Sequence, residues 1–576
     1  MMVVKLSYNW LNDFIDLSDI ELSEVADRLT MSAFEVEEIE KSREPIDSKV
    51  VLGKIEKISP HPDADKLQIT QTTIGSETFQ IVCGAKNIKE GQLVPVALVG
   101  AEVTDRKSGA KFKIKDSKIR GVESFGMLCS AEELGLDKDE SDGILIIEGQ
   151  EKDLGTSIET VLGFNTDYIL EVGARSNRGD ALSVLGQARE LGAVLKKELK
   201  LPEIKDFKHT QGLTTIEPKI DSDSDLFFTL AIKNIEIKES PQWLKDRINA
   251  MGIGSINNIV DISNYVLLER GQPMHFYDMS KLKGAALVVR KAKAGEKITT
   301  LEEKEHELDE SNLVIADSSG PVSLAGVMGG LDSSINDKTT DLLIEVAVFS
   351  PSVVRKSSRS AGVESESKRR YERGVDKAQS KAALLKAVEL IVELAATDKT
   401  QIGEIKMAGS DQVEEKTVDL RLEQVEKILG IKITDKEVTD ILKTLGLELK
   451  ASTKTNLTFS IPSFRQNDLT REIDLIEEIG RLYGFDNIPA QRPPAALFNS
   501  NKEVQNYIAS TQEIRTAFHA YGYSEVKLSS LIGDSLSELD SNSQEFTNKV
   551  SLNTIKMDNP LSLEHSYLRR SLIPGL

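Results

Sequence analysis

Four carboxylates in the last third of the chain have a spacing suited to a divalent cation. Asp474, Glu477 and Glu478 stand at i, i+3 and i+4, so a helix would carry them on one face, and Asp468 lies just ahead of them. Oxygen donors gathered in this way suit Mg²⁺, which keeps some of its waters. The competing reading is a salt-bridged helix, with Glu477 and Arg481 paired at i, i+4. A second cluster is basic. From Asp105 to Gly121 seven basic residues stand against two acidic ones, and Lys107, Lys111, Lys113, Lys115, Lys118 and Arg120 are candidate partners for phosphates. The plain alternative is a solvated hairpin face. A third cluster is Gly326, Gly329 and Gly330 in the run AGVMGG, where the backbone can take conformations and close approaches that side chains forbid.

Composition limits what these clusters can belong to. The 576 residues carry a net charge of −21, which argues against a protein that coats nucleic acid over its whole surface and leaves room only for a local patch. Two cysteines, Cys83 and Cys129, exclude a disulfide scaffold and a cysteine-based zinc site. No apolar run approaches a membrane span, and the opening MMVVKLSYNWLNDF lacks the apolar core of a secretory signal. A cytoplasmic protein with no membrane partner is expected.

The chain is too long for one core and divides by pattern into a multidomain α+β protein. Residues 1–40 read as a short helical unit, with Leu22, Val25, Ala26 and Leu29 at helical spacing and Ser18 with Glu21 as a capping box. Residues 41–149 carry short β-rich runs (KLQITQTTI, FQIVCGA, QLVPVALVGAEV) broken by turn residues, which suggests an OB-fold barrel. In residues 150–205 an RGD-containing turn leads into an amphipathic helix. Packed on the first unit, that helix would make one discontinuous domain with the barrel inserted in it. Residues 210–403 mix strands, helices and glycine-rich turns. Residues 404–490 hold two compact helices ended by glycine, the strand LTFSIPS and the acidic helix, a small winged-helix-like α+β domain. Residues 491–576 form a last segment.

Several segments carry a resemblance. SPHPDADKLQIT, VCGAKNI and KIRGVESFGMLCSAEELGL, in that order, resemble the tRNA-binding OB domain attached to several synthetases. Asn258-x-x-Asp261-x-x-Asn264-Tyr265-Val266, Gly271-Gln272-Pro273-x-His275-x-Tyr277-Asp278 and IEVAVFSPSVVRKSSRSAGVESESKRRYERGVD resemble the editing domain of the phenylalanyl-tRNA synthetase beta-subunit family. IPSFRQNDLTREIDLIEEIGRLYGFDNIP and NPLSLEHSYLRRSLIPGL resemble later parts of the same family, the second being the start of a class II synthetase-like module. The chain is identified as a member of that family, bacterial in type and C-terminally truncated.

The resemblance implies a phenylalanine–tRNA ligase. In an alpha2beta2 heterotetramer the alpha subunit would bind ATP and Mg²⁺ and join phenylalanine to tRNA(Phe). This chain would supply tRNA contacts, the alpha-subunit interface and hydrolysis of tyrosyl-tRNA(Phe). Tyrosine differs from phenylalanine by one hydroxyl, an addition that a hydrophobic pocket rejects by only about 10²-fold, so a second sieve is useful. By the resemblance Glu345 meets the tyrosine hydroxyl, His275 and Asn264 line the cleft around the ester and the terminal adenosine, and Gly326 and Gly329 let backbone approach the amino acid. The four carboxylates become a structural or bridging magnesium site. One departure stands out: Ser367 replaces the small apolar residue usual in the family, which would narrow or polarise the pocket. A protein that only holds tRNA through its OB domain is the alternative, and it would have no use for Asn264, His275 and Glu345 in these contexts.

Overall fold

A computed structural model describes residues 2–106, 108–136, 143–163, 167–213, 215–490, 501–537 and 554–576. It divides into two compact units, Met1–Pro489 and Ala490–Leu576.

In the first unit the strand Tyr168–Ala174 runs antiparallel between Met2–Ser7 and Val36–Lys41. The chain therefore returns, after more than a hundred intervening residues, to complete the sheet it began. The helices Tyr8–Phe14, Leu22–Ser32 and Val184–Leu195 pack together over Trp10, Leu29, Leu170 and Leu191. Two expectations are corrected here. The first 40 residues carry two strands beside their helices, and Ser18 does not cap the second helix, whose N-cap Glu21 makes no side-chain bond. Ser18 donates instead to Asp16, two residues back, because a short hydroxyl reaches the nearest carboxylate in a tight turn.

The inserted segment is a curled sheet, ordered Met127–Leu128, Leu93–Ala97, Val50–Pro60, Gln68–Thr73, Thr78–Cys83. It bends back on itself: Phe125 N donates to Gln80 O, and Val82 N donates to Ser124 Oγ, at the far edge. Two hairpins project from it. One pairs Glu102–Thr104 with Lys111–Lys113, the other Ser117–Ile119 with Val122–Ser124. The second turns on Arg120 and Gly121, both with positive φ (45° and 91°), the backbone a tight two-residue loop demands.

The middle of the chain stacks three layers. Its central strand, Leu342–Phe349, is buried along all eight residues, LLIEVAVF, as a strand covered on both faces must be. It lies between Met274–Asp278 and Ser224–Ile235. Leu342, Ile344, Val346 and Val348 point to one face, against the helices Asn258–Arg270 and Ser380–Leu394. Leu343, Ala347 and Phe349 point to the other, against a second sheet containing Ala286–Lys291, Leu313–Ala316 and Pro321–Leu324. The period of two along a strand assigns Glu345 to this inter-sheet face.

Downstream, Lys416–Arg421, Asn456–Ile461 and Glu448–Ser452 form a three-stranded sheet under the helices Leu422–Leu429, Asp435–Thr444 and Glu472–Tyr483. The second unit contains the helix Lys502–Ala520 and a short ladder between Leu531–Ile532 and Tyr567–Leu568. Among the described residues no helix is long and apolar enough to cross a membrane.

Candidate functional site

The segment that delivers His275 begins at the helix Asn258–Arg270. Asn257 caps it by accepting from Ile259 N and Val260 N, and Gly271 ends it in the left-handed conformation at φ 74°. Gln272 then anchors the next residues: its Nε2 donates to Ala347 O at 3.1 Å, and its Oε1 accepts from Ser380 Oγ at 2.9 Å. Most other polar residues here are structural. Asn258 bonds two backbone carbonyls, and Asp261 accepts from Ser240, Ser255 and Ile256 N. What remains for chemistry is the strand Met274–Asp278.

In its register His275 is opposite Glu345, and Glu345 is opposite Thr229. A polar row thus crosses three strands on a face whose neighbours are Phe227, Ala231, Leu343 and Ala347. Tyr277, fully buried, donates its hydroxyl to Glu345 Oε2 at 2.7 Å. Burial raises the Glu345 carboxyl to about 7, with the Tyr277 hydrogen bond pulling against it. Among the described residues Glu345 has no ion-pair partner, so its companions are neutral. His275 is half-buried, yet its Nε2 is enclosed without a hydrogen-bond partner, and burial lowers the ring to about 4. Its edge meets Tyr277, ring centroids 4.5 Å apart at 85°.

The glycines fit rings of the protein itself. A Cβ on Gly329 would come within 2.2 Å of the His275 ring. Gly326 has φ 68°, and its Cβ would press on Phe349, Tyr371 and Val354 at 2.9–3.1 Å. Ser365, not singled out from sequence, ties this turn to the next helix: it caps Glu366–Tyr371 through Lys368 N and donates to Val327 O at 2.6 Å. Ser367 is half-buried on that helix. Asn264 is half-buried on the helix Asn258–Arg270, whose apolar residues pack on the sheet's opposite face. No hydrogen bond among the described residues joins Asn264 to the polar row.

In the basic segment Lys111, Lys113, Lys115, Lys118 and Arg120 are all exposed, and Lys107 lies outside the described residues. Lys111 pairs with Glu44 at 3.1 Å. Phe112, on the strand between two of these lysines, is 40% exposed.

The four carboxylates do not gather into a ligand set. Asp468 and Glu478 both bind Arg465, at 2.8 and 2.9 Å, and Arg481 closes on Glu478 from the other side. Asp474 caps its own helix, accepting from Thr470 N and Arg471 N and pairing with Arg471 at 2.8 Å, while Glu477 is exposed. Among the described residues no group of three or more acidic, histidine or cysteine side chains is arranged to hold a metal ion. The geometry is that of a salt-bridged helix, with i, i+3 contacts in place of Glu477–Arg481. These residues in this arrangement do not fit Mg²⁺, because the two buried carboxylates already have guanidinium partners.

Those arginines belong to a larger buried network. Arg178, from the RGD turn, donates to Asp180 at 2.7 Å and Glu190 at 2.6 Å, and Arg481 reaches Glu190 at 2.8 Å and Ser32 O at 2.9 Å. Burial works against every member, and Arg481 and Arg465 nevertheless hold the Glu478 carboxyl below its usual range.

A putative tRNA binding domain matches residues 50–156, a B3/4 domain 224–396, a tRNA synthetase B5 domain 418–485, and the phenylalanyl tRNA synthetase beta chain CLM domain 488–576. That succession defines a subunit of an aminoacyl-tRNA ligase, with a putative tRNA-binding domain and B3/4 and B5 domains on one chain. Beta subunits of phenylalanine–tRNA ligase match along its whole length. That of Syntrophus aciditrophicus (strain SB) is 37% identical over 581 residues, covering 100% of this chain and 70% of its own. Those of Geobacillus kaustophilus (37%) and Geobacter metallireducens (38%) each match 99% of this chain and 70% and 69% of their own. The chain belongs to the phenylalanine–tRNA ligase beta-subunit family.

Proposed function

We propose that this chain edits the product of its ligase, hydrolysing tyrosyl-tRNA(Phe) at the inter-sheet face that holds Glu345. The observation that carries the reading is a buried carboxylate with only a neutral phenol as partner. Desolvating an unpaired carboxylate is costly, and a fold keeps one where it has use for an acceptor. Glu345 would accept the hydroxyl of misattached tyrosine, and the neutral His275 would turn its unpartnered Nε2 to the ester or the terminal adenosine. Gly326 and Gly329 contribute by seating the rings that wall the row. Asn264 and Ser367 complete the proposed lining from their two helices.

In the same reading tRNA(Phe) meets the barrel at Lys107, Lys111, Lys113, Lys115, Lys118 and Arg120. The exposure of the described members supports this, as cations in solvent are free to replace counterions on phosphates. The synthetic reaction, with ATP and Mg²⁺, is assigned to an alpha subunit in an alpha2beta2 assembly in the cytoplasm. No role in it is given to Asp468, Asp474, Glu477 or Glu478. A tRNA holder without enzymatic role is disfavoured, because it would gain nothing from a carboxylate in a strand buried along its whole length.

The test is deacylation of tyrosyl-tRNA(Phe) and phenylalanyl-tRNA(Phe) by the chain assembled with its alpha subunit, beside Glu345→Ala. Selective loss of the tyrosyl ester, impaired in the variant, is expected. Equal stability of both esters in the presence of a fully formed complex would refute the reading.

A further inference from the structure

We propose that Tyr277 is the positioning residue for Glu345: by holding Oε2 it fixes the carboxylate so that Oε1 takes the hydroxyl of misattached tyrosine. The proposal rests on the editing reading above and goes beyond it in naming the group that sets the acceptor.

Three observations carry it. Tyr277 is two residues along the strand from His275 and therefore on the same face, diagonal to Glu345 across the ladder, within reach of a long side chain. Its hydroxyl is 2.7 Å from Oε2, and its ring is enclosed in the inter-sheet core with His275 packed edge-on against it. Last, this phenol is the only hydrogen-bond partner of the Glu345 carboxylate among the described residues. A carboxylate has about four acceptor positions, so a single donor on one oxygen orients the group and leaves the other oxygen for a ligand. An arginine in place of Tyr277 would engage both oxygens and close the site.

The groups facing Glu345 are few. Tyr277 and His275 come from one neighbouring strand and Thr229 from the other. Tyr371, on the helix Glu366–Tyr371, has its phenol raised by burial, and the nearby Glu345 charge adds to this. Thr229 spends its hydroxyl on Ile216 O at 2.8 Å. Burial keeps His275 neutral and both phenols protonated across the neutral range, so Glu345 is the member of the row that changes charge there. Discrimination then follows from the ligand's chemistry. A tyrosyl ester donates to Oε1, whereas a phenylalanyl ester would strip water from that oxygen and return nothing.

The experiment measures kcat/KM for both esters between pH 5.5 and 9, with the complex carrying wild type, Tyr277→Phe, or 3-fluorotyrosine at position 277. Loss of the phenol removes a donor that favours the ionised carboxylate. For Tyr277→Phe the tyrosyl rate is expected to fall about fivefold at neutral pH, approaching about tenfold at the acid end, and to recover at high pH, its acid limb displaced upward by about one unit. The fluorinated phenol, a stronger donor of the same shape, is expected to move the limb downward, and phenylalanine attachment stays at the wild-type level as the check on folding. Unchanged tyrosyl rates and acid limbs in both substituted proteins would overturn the positioning role while leaving editing intact. A wild-type complex that hydrolyses neither ester would overturn both readings together.

Discussion

Arg481 Nη1 is 2.8 Å from Glu190 Oε2, an ion pair that joins residues 291 positions apart and ties the acidic helix Glu472–Tyr483 to the helix Val184–Leu195. Glu190 also takes Arg178 at 2.6 Å and lies 3.6 Å from Arg465, so three guanidinium groups converge on one carboxylate. All four side chains are buried. Removing the Glu190 charge leaves three buried guanidinium groups to share the remaining carboxylates Asp180, Asp468 and Glu478.

Glu190→Gln is therefore expected to destabilise this junction by about 3 kcal/mol, the scale seen when one partner of a buried ion pair is lost. Urea titration followed by limited proteolysis between residues 400 and 490 reads it out. An unmoved midpoint would mean that water, not Glu190, satisfies the arginines. Arg471→Ala, which removes an exposed partner of Asp474, is the control expected to leave the midpoint close to that of the wild type.

The polar row makes stability depend on pH in two opposed ways. Glu345 titrates at about 7 when folded, above its ordinary 4.5, so the stability it allows is complete below 4.5 and is lost as pH rises through 7. His275, lowered from 6.5 to about 4, contributes stability that is present above 6.5 and lost as pH falls through 4. Glu345→Gln is thus expected to gain on the wild type across the window from 4.5 to 7, by on the order of 3 kcal/mol, and then to run parallel to it. Thermal melts at half-unit intervals measure this. Parallel curves over the whole window would show that Glu345 ionises normally.

Much of this was legible in the sequence, for reasons that differ by element. Glycine at the ends of compact helices worked as punctuation: Gly430 has φ 70° at its helix end. The strand that carries Glu345 entered only through the family resemblance, although its run LLIEVAVF is buried throughout. The short strands Met2–Ser7 and Val36–Lys41 were not legible, because they pair with Tyr168–Ala174 far along the chain, and local pattern carries no trace of a distant partner. The acidic helix misled for a related reason. Spacing puts carboxylates on a face, but it does not reveal that Arg465 folds onto Asp468 and Glu478 or that Glu190 comes from another domain to complete the charges. Tyr277 stands inside a motif, but an aromatic at alternate strand positions reads as core, and only the fold brings its hydroxyl to the Glu345 carboxylate.

Gly329→Ala tests whether the glycine turn exists to seat His275. The added methyl would come within 2.2 Å of the ring, so either the ring or the turn must move. A loss of about 1–3 kcal/mol is expected from overpacking, together with loss of tyrosyl-tRNA hydrolysis. The second substitution His275→Ala opens the space. The double variant is therefore expected to be less destabilised than the sum of the two single ones by more than about 0.5 kcal/mol. Strict additivity would separate the glycine from the histidine.

The basic hairpins give the last prediction. Lys113, Lys115 and Lys118 are exposed, whereas Lys111 is already drawn to Glu44 at 3.1 Å. A lysine that neutralises a phosphate releases a counterion, so its loss reduces the slope of log K against log salt by about 0.7–0.9. Lys113→Ala, Lys115→Ala and Lys118→Ala are each expected to lower the slope for tRNA binding by that amount. Lys111→Ala is expected to change it less, because in the free protein that charge is partly spent on a carboxylate. Filter binding of tRNA(Phe) from 50 to 300 mM salt, about a sixfold range, resolves such differences. The decisive comparison is with lysines off the hairpins. If Lys436→Ala, on the helix Asp435–Thr444, alters the slope as much as Lys113→Ala does, the hairpins are one solvated surface among several and the barrel's contact with tRNA lies elsewhere.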